Sequence, residues 1–456
     1  MSGSFAVVDP SIGEAFTEVA MASAAEVDRA VGRAVRAQAR WAALAPLDRA
    51  RLLRRFAAVV DARGEELAAL EVRNSGHPVD GARWEAGHVR DVLEYFSAAP
   101  ERLIGKQIPV AGGIDVTFHE PLGVVGVIVP WNFPMTIAAW GFAPALAAGN
   151  AVVLKPAEWT PLTALRLAEL ALEAGLPDGL LQAVPGTGAV AGEALVRHPD
   201  VAKVVFTGST ATGSRVMALA AEQVKPVTLE LGGKSANLVF ADADLDAAAA
   251  AAPGAVFDNA GQDCCARSRI LVERSVLDAF LERLEPAVRA WRVGDPRQEG
   301  VQMGPLVSAA HRDRVASFLD GRTPLMRGSA PDGPGFWFAP AVVLPEAPDD
   351  RLLSEEVFGP VVAVQAFEGE AEGVALANAT RYGLSGSIWT RDLGRGLRVS
   401  RAVRSGALSV NSNSSVRYTT PFGGMKRSGI GRELGPDAPL HFTDEKNVFY
   451  ATGDPA

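Results

Sequence analysis

Val124-Val125-Gly126-Val127-Ile128-Val129 and, further along one uncharged stretch, Ala151-Val152-Val153-Leu154-Lys155 decide the fold of this chain. Both are short apolar runs rich in β-branched residues, which suit the packed, pleated surface of a strand. A third run, Lys203-Val204-Val205-Phe206, follows, and helical stretches such as Ala164 to Ala174 separate them. Wholly apolar strands alternating with helices are the signature of βαβ units in a parallel sheet covered on both faces. From Pro121 to Leu154 no residue is charged, a run long enough to imitate a membrane span. It also contains Pro130, Asn132, Pro134, Pro144 and Asn150, and a lipid-facing helix would have to absorb every one of those breaks. A strand, a turn, a buried helix and a second strand fit better.

Outward from this stretch, residues 22–75 read as helices. Ala24-Ala25-Glu26-Val27 opens one amphipathic run, and Pro46-Leu47-Asp48-Arg49 puts proline at the start of another. A second βα-rich block runs from about Asn237 to about Ala407, with strand candidates Ile270-Leu271-Val272 and Pro360–Val364. The Gly/Pro-rich patch Arg327–Pro340 reads as a surface loop within it. Gln107–Val110 and Gly113–His119 fit neither sheet's rhythm and read as a projecting ribbon. No internal repeat or low-complexity segment stands out. The expected fold class is α/β, with two sheet domains.

Composition narrows the function. A chain of 456 residues exceeds one ordinary core and predicts two or three domains. Apolar content of 48% against 21% charged describes a well-packed globule. A net charge of −9 with no Lys/Arg cluster argues against a nucleic-acid partner. The only two cysteines are adjacent, so no disulfide framework is possible, and a reducing compartment is expected. Met1-Ser2-Gly3-Ser4-Phe5-Ala6 lacks the basic and apolar regions of a signal peptide. A cytoplasmic protein without a membrane anchor is the expectation.

Both cysteines lie in Phe257-Asp258-Asn259-Ala260-Gly261-Gln262-Asp263-Cys264-Cys265-Ala266-Arg267. A thiolate is the strongest nucleophile among ordinary side chains, yet free cysteine is also a common small core residue. This stretch alone leaves both readings open. Thr207-Gly208-Ser209-Thr210-Ala211-Thr212-Gly213 turns from a strand into a helix, where glycine admits a phosphate and the helix N-terminus favours negative charge. Its Gly-x-x-x-x-Gly spacing is not the standard dinucleotide fingerprint, and glycine at such turns is often purely steric.

Four further islands change the weighing: Pro130-Trp131-Asn132-Phe133-Pro134, Lys155-Pro156-Ala157-Glu158, Leu229-Glu230-Leu231-Gly232-Gly233-Lys234 and Glu355-Glu356-Val357-Phe358-Gly359-Pro360. With the cysteine stretch and Pro421-Phe422-Gly423-Gly424, in this order, the chain resembles the aldehyde dehydrogenase superfamily. The resemblance runs from Asp9-Pro10-Ser11-Ile12-Gly13-Glu14 to Lys446-Asn447-Val448-Phe449. It implies a Rossmann-like cofactor domain of residues 1–101 and 122–231 and a catalytic domain of 232–437. Residues 102–121 and 438–456 would serve assembly, as a homodimer or homotetramer.

The same resemblance assigns roles. Cys264 takes the nucleophile position, and Cys265 is the packed neighbour. Asn132, which alone would read as a turn residue, matches the oxyanion donor. Glu230, otherwise a strand-end salt-bridge partner, matches the general base that activates water for deacylation. Apolar neighbours would raise its pKa toward a useful value. The glycines Gly232-Gly233 argue for close approach by a cofactor or substrate. Lys155 and Glu158 resemble the pair that holds the adenosine ribose, and a carboxylate there would repel a 2′-phosphate, which favours NAD over NADP. Ser209 and the Gly208–Gly213 turn would face the pyrophosphate, Gly188 the adenine side, and Glu356 and Phe358 the nicotinamide ribose and ring. Val129, Pro130, Trp131, Phe206, Leu231 and Gly232 fall along the same cofactor cleft. No resident metal is implied.

The expected reaction is oxidation of a small-molecule aldehyde to a free acid through a thiohemiacetal and a thioester. Relatives that pass the acyl group to coenzyme A commonly lack the glutamate. Coenzyme A acylation, or a non-catalytic role on the same fold, are the alternatives. The chain departs from the family in its short segment before Val7-Val8-Asp9-Pro10, in His311 where many relatives carry glutamine, and in Gly76-His77-Pro78 in place of Gly-Lys-Pro. The loop Asn411–Thr420 is polar, with Arg417 and Tyr418, and suggests a small or polar aldehyde, amine-derived or carboxylate-bearing. Arg417 itself reads better as a surface residue than as a carboxylate partner.

Overall fold

The computed structural model describes residues 3–414 and 416–453; Met1, Ser2 and Ser415, which belong to stretches interpreted above, lie outside the described residues, as do 454–456. The uncharged stretch folds as expected. Val124–Ile128 and Ala151–Lys155 are fully buried parallel strands, and the helix Pro134–Ala147 between them buries every residue. Pro144 is accommodated inside that helix. The Asn150 amide donates to the carbonyls of Ala145 (3.0 Å) and Phe442 (2.9 Å) just beyond its end. Among the described residues no helix is long and apolar enough to cross a membrane.

These strands belong to a six-stranded sheet. Its order is Gly429–Ile430, Val227–Glu230, Val201–Thr207, Val124–Ile128, Ala151–Lys155 and Leu181–Ala183, parallel except for the first. The chain starts at Val124–Ile128, winds outward through Ala151–Lys155 and Leu181–Ala183, then returns to build the other half. The order therefore reverses between Val124–Ile128 and Val201–Thr207, and a crevice opens at the carboxyl ends of these two strands.

Helices pack over this sheet. Ala24–Ala42 starts with a capping box formed by Ser23 and Glu26, an arrangement of about 1 kcal/mol. It buries Val27, Ala30, Val31, Ala34 and Trp41 on one face. The Trp41 indole N–H donates to the Leu146 carbonyl at 2.8 Å and so docks this helix on the buried one.

A second sheet of seven strands has the order Met326–Arg327, Ala341–Val343, Val361–Phe367, Arg269–Glu273, Ala236–Val239, Ser385–Trp389 and Ala407–Val410, parallel except for the first. It contains both strands expected from Ile270–Val272 and Pro360–Val364. The ribbon expected at Gln107–Val110 and Gly113–His119 is present, and the second strand extends to Pro121. The C-terminal strand Thr443–Ala451 pairs antiparallel along it, from Thr443 opposite Pro121 to Ala451 opposite Gly113.

Candidate active site

The crevice at the strand reversal is a cavity of about 340 Å³. It brings together Pro130, Trp131, Asn132, Gly208, Ser209, Glu230, Leu231, Gly232, Cys264, Glu356 and Phe358, all singled out from the sequence. Trp159, Thr207, His311 and Arg314 complete its lining.

Cys264 is held by an unusual turn. After the helix Leu245–Phe257, three successive residues adopt positive φ: Asn259 (48°), Ala260 (54°) and Gly261 (68°). Asparagine and glycine tolerate this region, but alanine does so at a cost of about 1–2 kcal/mol. Surrounding contacts fix the turn. The Gln262 side chain donates to Asn259 O (3.1 Å) and accepts from Val307 N–H (2.9 Å), and Asn259 Nδ2 donates to Asn132 O (2.8 Å). A Cβ on Gly261 would lie 2.3 Å from the Gly359 carbonyl. The turn presents Cys264, half-buried, to the cavity, while Cys265 is buried in the main core. A hydrogen bond with the Cys265 thiol, followed by burial and the nearby carboxylates of Asp263 and Glu356, raises the Cys264 pKa well above its usual value.

Asn132 is buried, and its Nδ2 donates to the Gln262 carbonyl at 2.8 Å. This bond and the reciprocal one from Asn259 lock the turn after Val124–Ile128 to the turn that carries Cys264. One N–H of the Asn132 amide is thus engaged, and an amide has two.

Glu230 ends the strand Val227–Glu230 and is buried. A Cβ on Gly423 would lie 2.6 Å from its Oε1, so the glycine of the Pro421–Gly424 island makes room for this carboxylate. Burial pushes the Glu230 pKa well up. The Glu433 carboxylate adds to the effect, and Arg432 and the Gly424 backbone offset part of it. Glu433, brought close by backbone pairing with Phe422, is itself buried and raised by that burial. Nothing in the sequence pattern pointed to Glu433.

The glycines after Glu230 admit groups of the protein itself. A Cβ on Gly232 would sit 2.3 Å from Glu356 Oε2, and one on Gly233 would sit 2.2 Å from the Cys264 carbonyl. Glu356 Oε1 accepts from Gly233 N–H at 2.8 Å, and burial lifts its pKa to about 7. Gly233→Ala is expected to displace the Cys264 turn and lower turnover about 100-fold. The far-ultraviolet circular dichroism should be unchanged, and near-normal turnover would contradict this.

Arg314 holds the Glu356–Phe358 loop through Nη bonds to Glu356 O (2.8 Å) and Val357 O (2.7 Å). His311 Nε2 donates to Phe358 O at 2.7 Å, and burial lowers the His311 pKa to about 4, leaving the ring neutral. Together they support Phe358 at φ 58°, a conformation that phenylalanine rarely adopts. Trp159 lies 5.7 Å from Trp131, ring to ring.

Other predicted residues lie outside this cavity. Lys155 Nζ donates to Pro156 O and Gly186 O, both at 2.7 Å, with the Glu158 carboxylate 3.9 Å away. Gly188 and Phe206 line a second cavity of about 340 Å³ beside the helix Thr210–Ala221. Val129 is buried, and its N–H donates to Lys155 O. Gly213 lies inside the helix, where Leu231 fills the space of its missing Cβ at 2.4 Å. Gly208 N–H is already engaged by Glu230 O (3.0 Å) and Thr212 N–H by the Ser209 hydroxyl (3.2 Å). That leaves Thr210 and Ala211 at the exposed helix start, where backbone donors lack intrahelical partners.

His77 of the divergent Gly-His-Pro is buried against Phe133, 5.3 Å between rings, with Nδ1 on Glu85. Glu85 in turn accepts from Thr136 Oγ1 at 3.0 Å. Burial alone would lower the His77 pKa, but Glu85, Glu71 and Asp258 lift it to about 9.

On another side, Trp84, His88 and Tyr95 of the helix Val79–Ser97 meet Trp140, Tyr418 and Phe422 in a chain of ring contacts. Trp140 Nε1 donates to His88 Nε2 at 2.9 Å, and burial lowers the His88 pKa to about 4. Tyr418 and Cys264 pack on the same core. Arg267 ties the two regions, donating to Cys265 O and Asn413 O, each at 2.9 Å. Arg417 is exposed and donates to Ser414 O (3.3 Å) in its own loop.

The model of the aldehyde dehydrogenase family matches residues 1–448. A betaine aldehyde dehydrogenase of Cereibacter sphaeroides is 44% identical over 455 residues, covering 98% of this chain and 94% of its own. The crystal structure of an NAD-dependent aldehyde dehydrogenase from Sinorhizobium meliloti is similar with a TM-score of 0.97 at 40% identity, over 100% of this chain and 92% of that one. A betaine aldehyde dehydrogenase from Staphylococcus aureus, solved in complex with NAD+, gives a TM-score of 0.95 at 34% identity, over 100% and 92%.

Proposed function

Because the chain belongs to the aldehyde dehydrogenase family, we propose that it uses NAD+ to oxidise a small, amine-derived aldehyde to the free carboxylic acid, with Cys264 as nucleophile, Asn132 as oxyanion donor and Glu230 as base. The convergence of these three residues on one crevice at the strand reversal carries this reading.

The residues present fit the cofactor. The exposed start of the helix Thr210–Ala221 suits a pyrophosphate. The half-buried Glu158 carboxylate suits ribose hydroxyls and disfavours a 2′-phosphate. When bound, NAD+ supplies the hydride acceptor and a positive charge that favours thiolate at Cys264.

Cys264 loses its S–H proton to solvent, and its Sγ attacks the aldehyde carbon, forming the C–S bond as the carbonyl electron pair moves to oxygen. The free Asn132 N–H and the Cys264 backbone N–H stabilise that alkoxide, and loss of one such donor costs about 3 kcal/mol. Loss of hydride from the same carbon leaves a thioester on Cys264. Glu230 then takes a proton from water as the water attacks the thioester. The C–S bond breaks, and the acid departs. Asn132→Ala is expected to lower kcat/KM about 10²–10³-fold while NAD+ affinity, read by fluorescence titration, stays unchanged. A smaller loss would remove Asn132 from this role.

The ring cluster of Trp84, His88, Tyr95, Trp140 and Tyr418, joined to the loop Asn411–Thr420 through Tyr418, is our ground for choosing a cationic, amine-derived substrate, since aromatic faces attract ammonium groups by about 0.5–2 kcal/mol. Arg417, turned onto its own loop, gives no support to a carboxylate-bearing one. A panel of quaternary-ammonium, aliphatic, carboxylate-bearing and aromatic aldehydes with NAD+ and NADP+ tests both choices. The highest kcat/KM is expected for the ammonium aldehydes with NAD+, and preference for a carboxylate-bearing aldehyde would overturn the assignment.

The domain limits given by the resemblance, 1–101 with 122–231, 232–437, and 102–121 with 438–456, belong to this proposal. So does a cytoplasmic dimer or pair of dimers joined through the ribbon, where Ile114, Phe118, Phe449 and Tyr450 are exposed.

A further inference from the structure

Cys265 has no part in the chemistry above, yet its sulfur is not isolated. The Sγ atoms of Cys264 and Cys265 and a carboxylate oxygen of Asp263 all lie within 4.8 Å of one another. Among the described residues no other His, Cys, Asp or Glu side chains form such a trio. Local backbone geometry explains it. In an extended strand neighbouring side chains point to opposite faces. Here Ala266 N–H donates to Asp263 O at 3.0 Å, closing a tight turn that gathers the two thiols. Cys265 N–H donates to Asp263 Oδ1 at 2.8 Å and folds the carboxylate over the same turn.

We propose that Asp263, Cys264 and Cys265 form a chelating site for a thiophilic divalent cation of the Zn2+ and Cd2+ class, which reversibly shuts off the enzyme by occupying its nucleophile. Two thiolates and one carboxylate are a ligand set that such cations favour over Mg2+ or Ca2+. At Zn–S bonds of about 2.3 Å, two sulfurs on a tetrahedral ion stand ~3.8 Å apart. Cys264 lines the cavity, so the fourth position faces the space where substrate binds. On binding, two S–H bonds break, two metal–sulfur bonds form, and both protons go to solvent. No electrons are transferred, and a competing chelator reverses the process.

The proposal rests on Cys264 being the nucleophile only for its inhibitory effect, so binding and turnover are measured separately. Binding is followed by titrating the full-length protein with CdCl2, using calorimetry and thiolate-to-cadmium ultraviolet absorbance; inhibition is followed with ZnCl2 and CdCl2, with MgCl2 as control. Wild type is expected to bind one Cd2+ per chain and to recover activity on adding EDTA. Cys265→Ser should lose the absorbance band and, measured against its own metal-free turnover, resist Zn2+ at least about tenfold better. Asp263→Asn should weaken binding without removing the band. Equal inhibition of wild type and Cys265→Ser, or an undiminished band in that variant, would overturn the proposal. A band in wild type without loss of turnover would keep the site and instead count against Cys264 as nucleophile.

Discussion

Cys264→Ala is expected to reduce aldehyde oxidation by at least about four orders of magnitude while leaving NAD+ affinity within a few-fold. The substitution removes one sulfur at the cavity wall. Cys265, not Cys264, is the cysteine fully buried in the core, so thermal stability should move little. The turn itself is held by Gln262, Asn259 and Val307, none of which contacts the lost atom by hydrogen bond. Without the sulfur no covalent intermediate forms, and Asn132 has no adduct to stabilise. The measurement is steady-state NADH absorbance alongside a fluorescence titration of NAD+. Residual turnover above about a hundredth of wild type would remove Cys264 as the nucleophile.

Glu230→Gln is expected to give one hydride equivalent per site followed by a steady rate lowered about 10²–10⁴-fold. Glutamine has the carboxylate's shape, so the space beside Gly423 stays filled. It cannot accept the proton of water, and the acyl group stays on Cys264. Wild-type pH behaviour follows from the raised pKa of Glu230. Only the ionised form is a base, so the steady rate should climb as pH rises through that elevated value, and Glu230→Gln should lose this limb.

Stability carries the opposite sign from an ordinary ion-paired carboxylate. With its folded pKa above its unfolded one, Glu230 binds more protons in the native state, and stability falls as pH rises between the two values. Glu230→Gln should therefore gain thermal stability over wild type toward high pH. A normal steady rate, or a missing burst, would exclude Glu230 as the base.

The sequence was most legible where local pattern and burial coincide. Val124–Val129 and Ala151–Lys155 announced two buried strands because solvent-free parallel strands leave no polar face. The turns at Asn132, Gly208 and Cys264 were readable from their motifs. What escaped depends on contacts between segments distant in the chain. Glu433 reaches Glu230 through a backbone pair with Phe422. Trp84, His88, Trp140 and Tyr418 come from three segments, and no periodicity marks their ring contacts. The pair Gly232-Gly233 signalled a close approach, and the protein groups beside them, Glu356 and the Cys264 carbonyl, could not be read from the local sequence. A glycine's need for room is local, and what fills the room is not. Gly213 gave the same kind of surprise, its gap being filled by Leu231.

The closing strand Thr443–Ala451 has a temporal consequence. Asn447 and its partner Asp115 are 332 positions apart, and Phe442 O accepts from both Leu122 N–H and Asn150 Nδ2. During synthesis the strand Gly113–Pro121 leaves the ribosome long before the segment that pairs with it. Until then it presents an open backbone edge, the kind of surface on which nascent chains aggregate. Folding of this region must wait for release of the C-terminal segment, and a contact of such separation is closed slowly. A chain clipped before Thr443 would leave that edge unpaired.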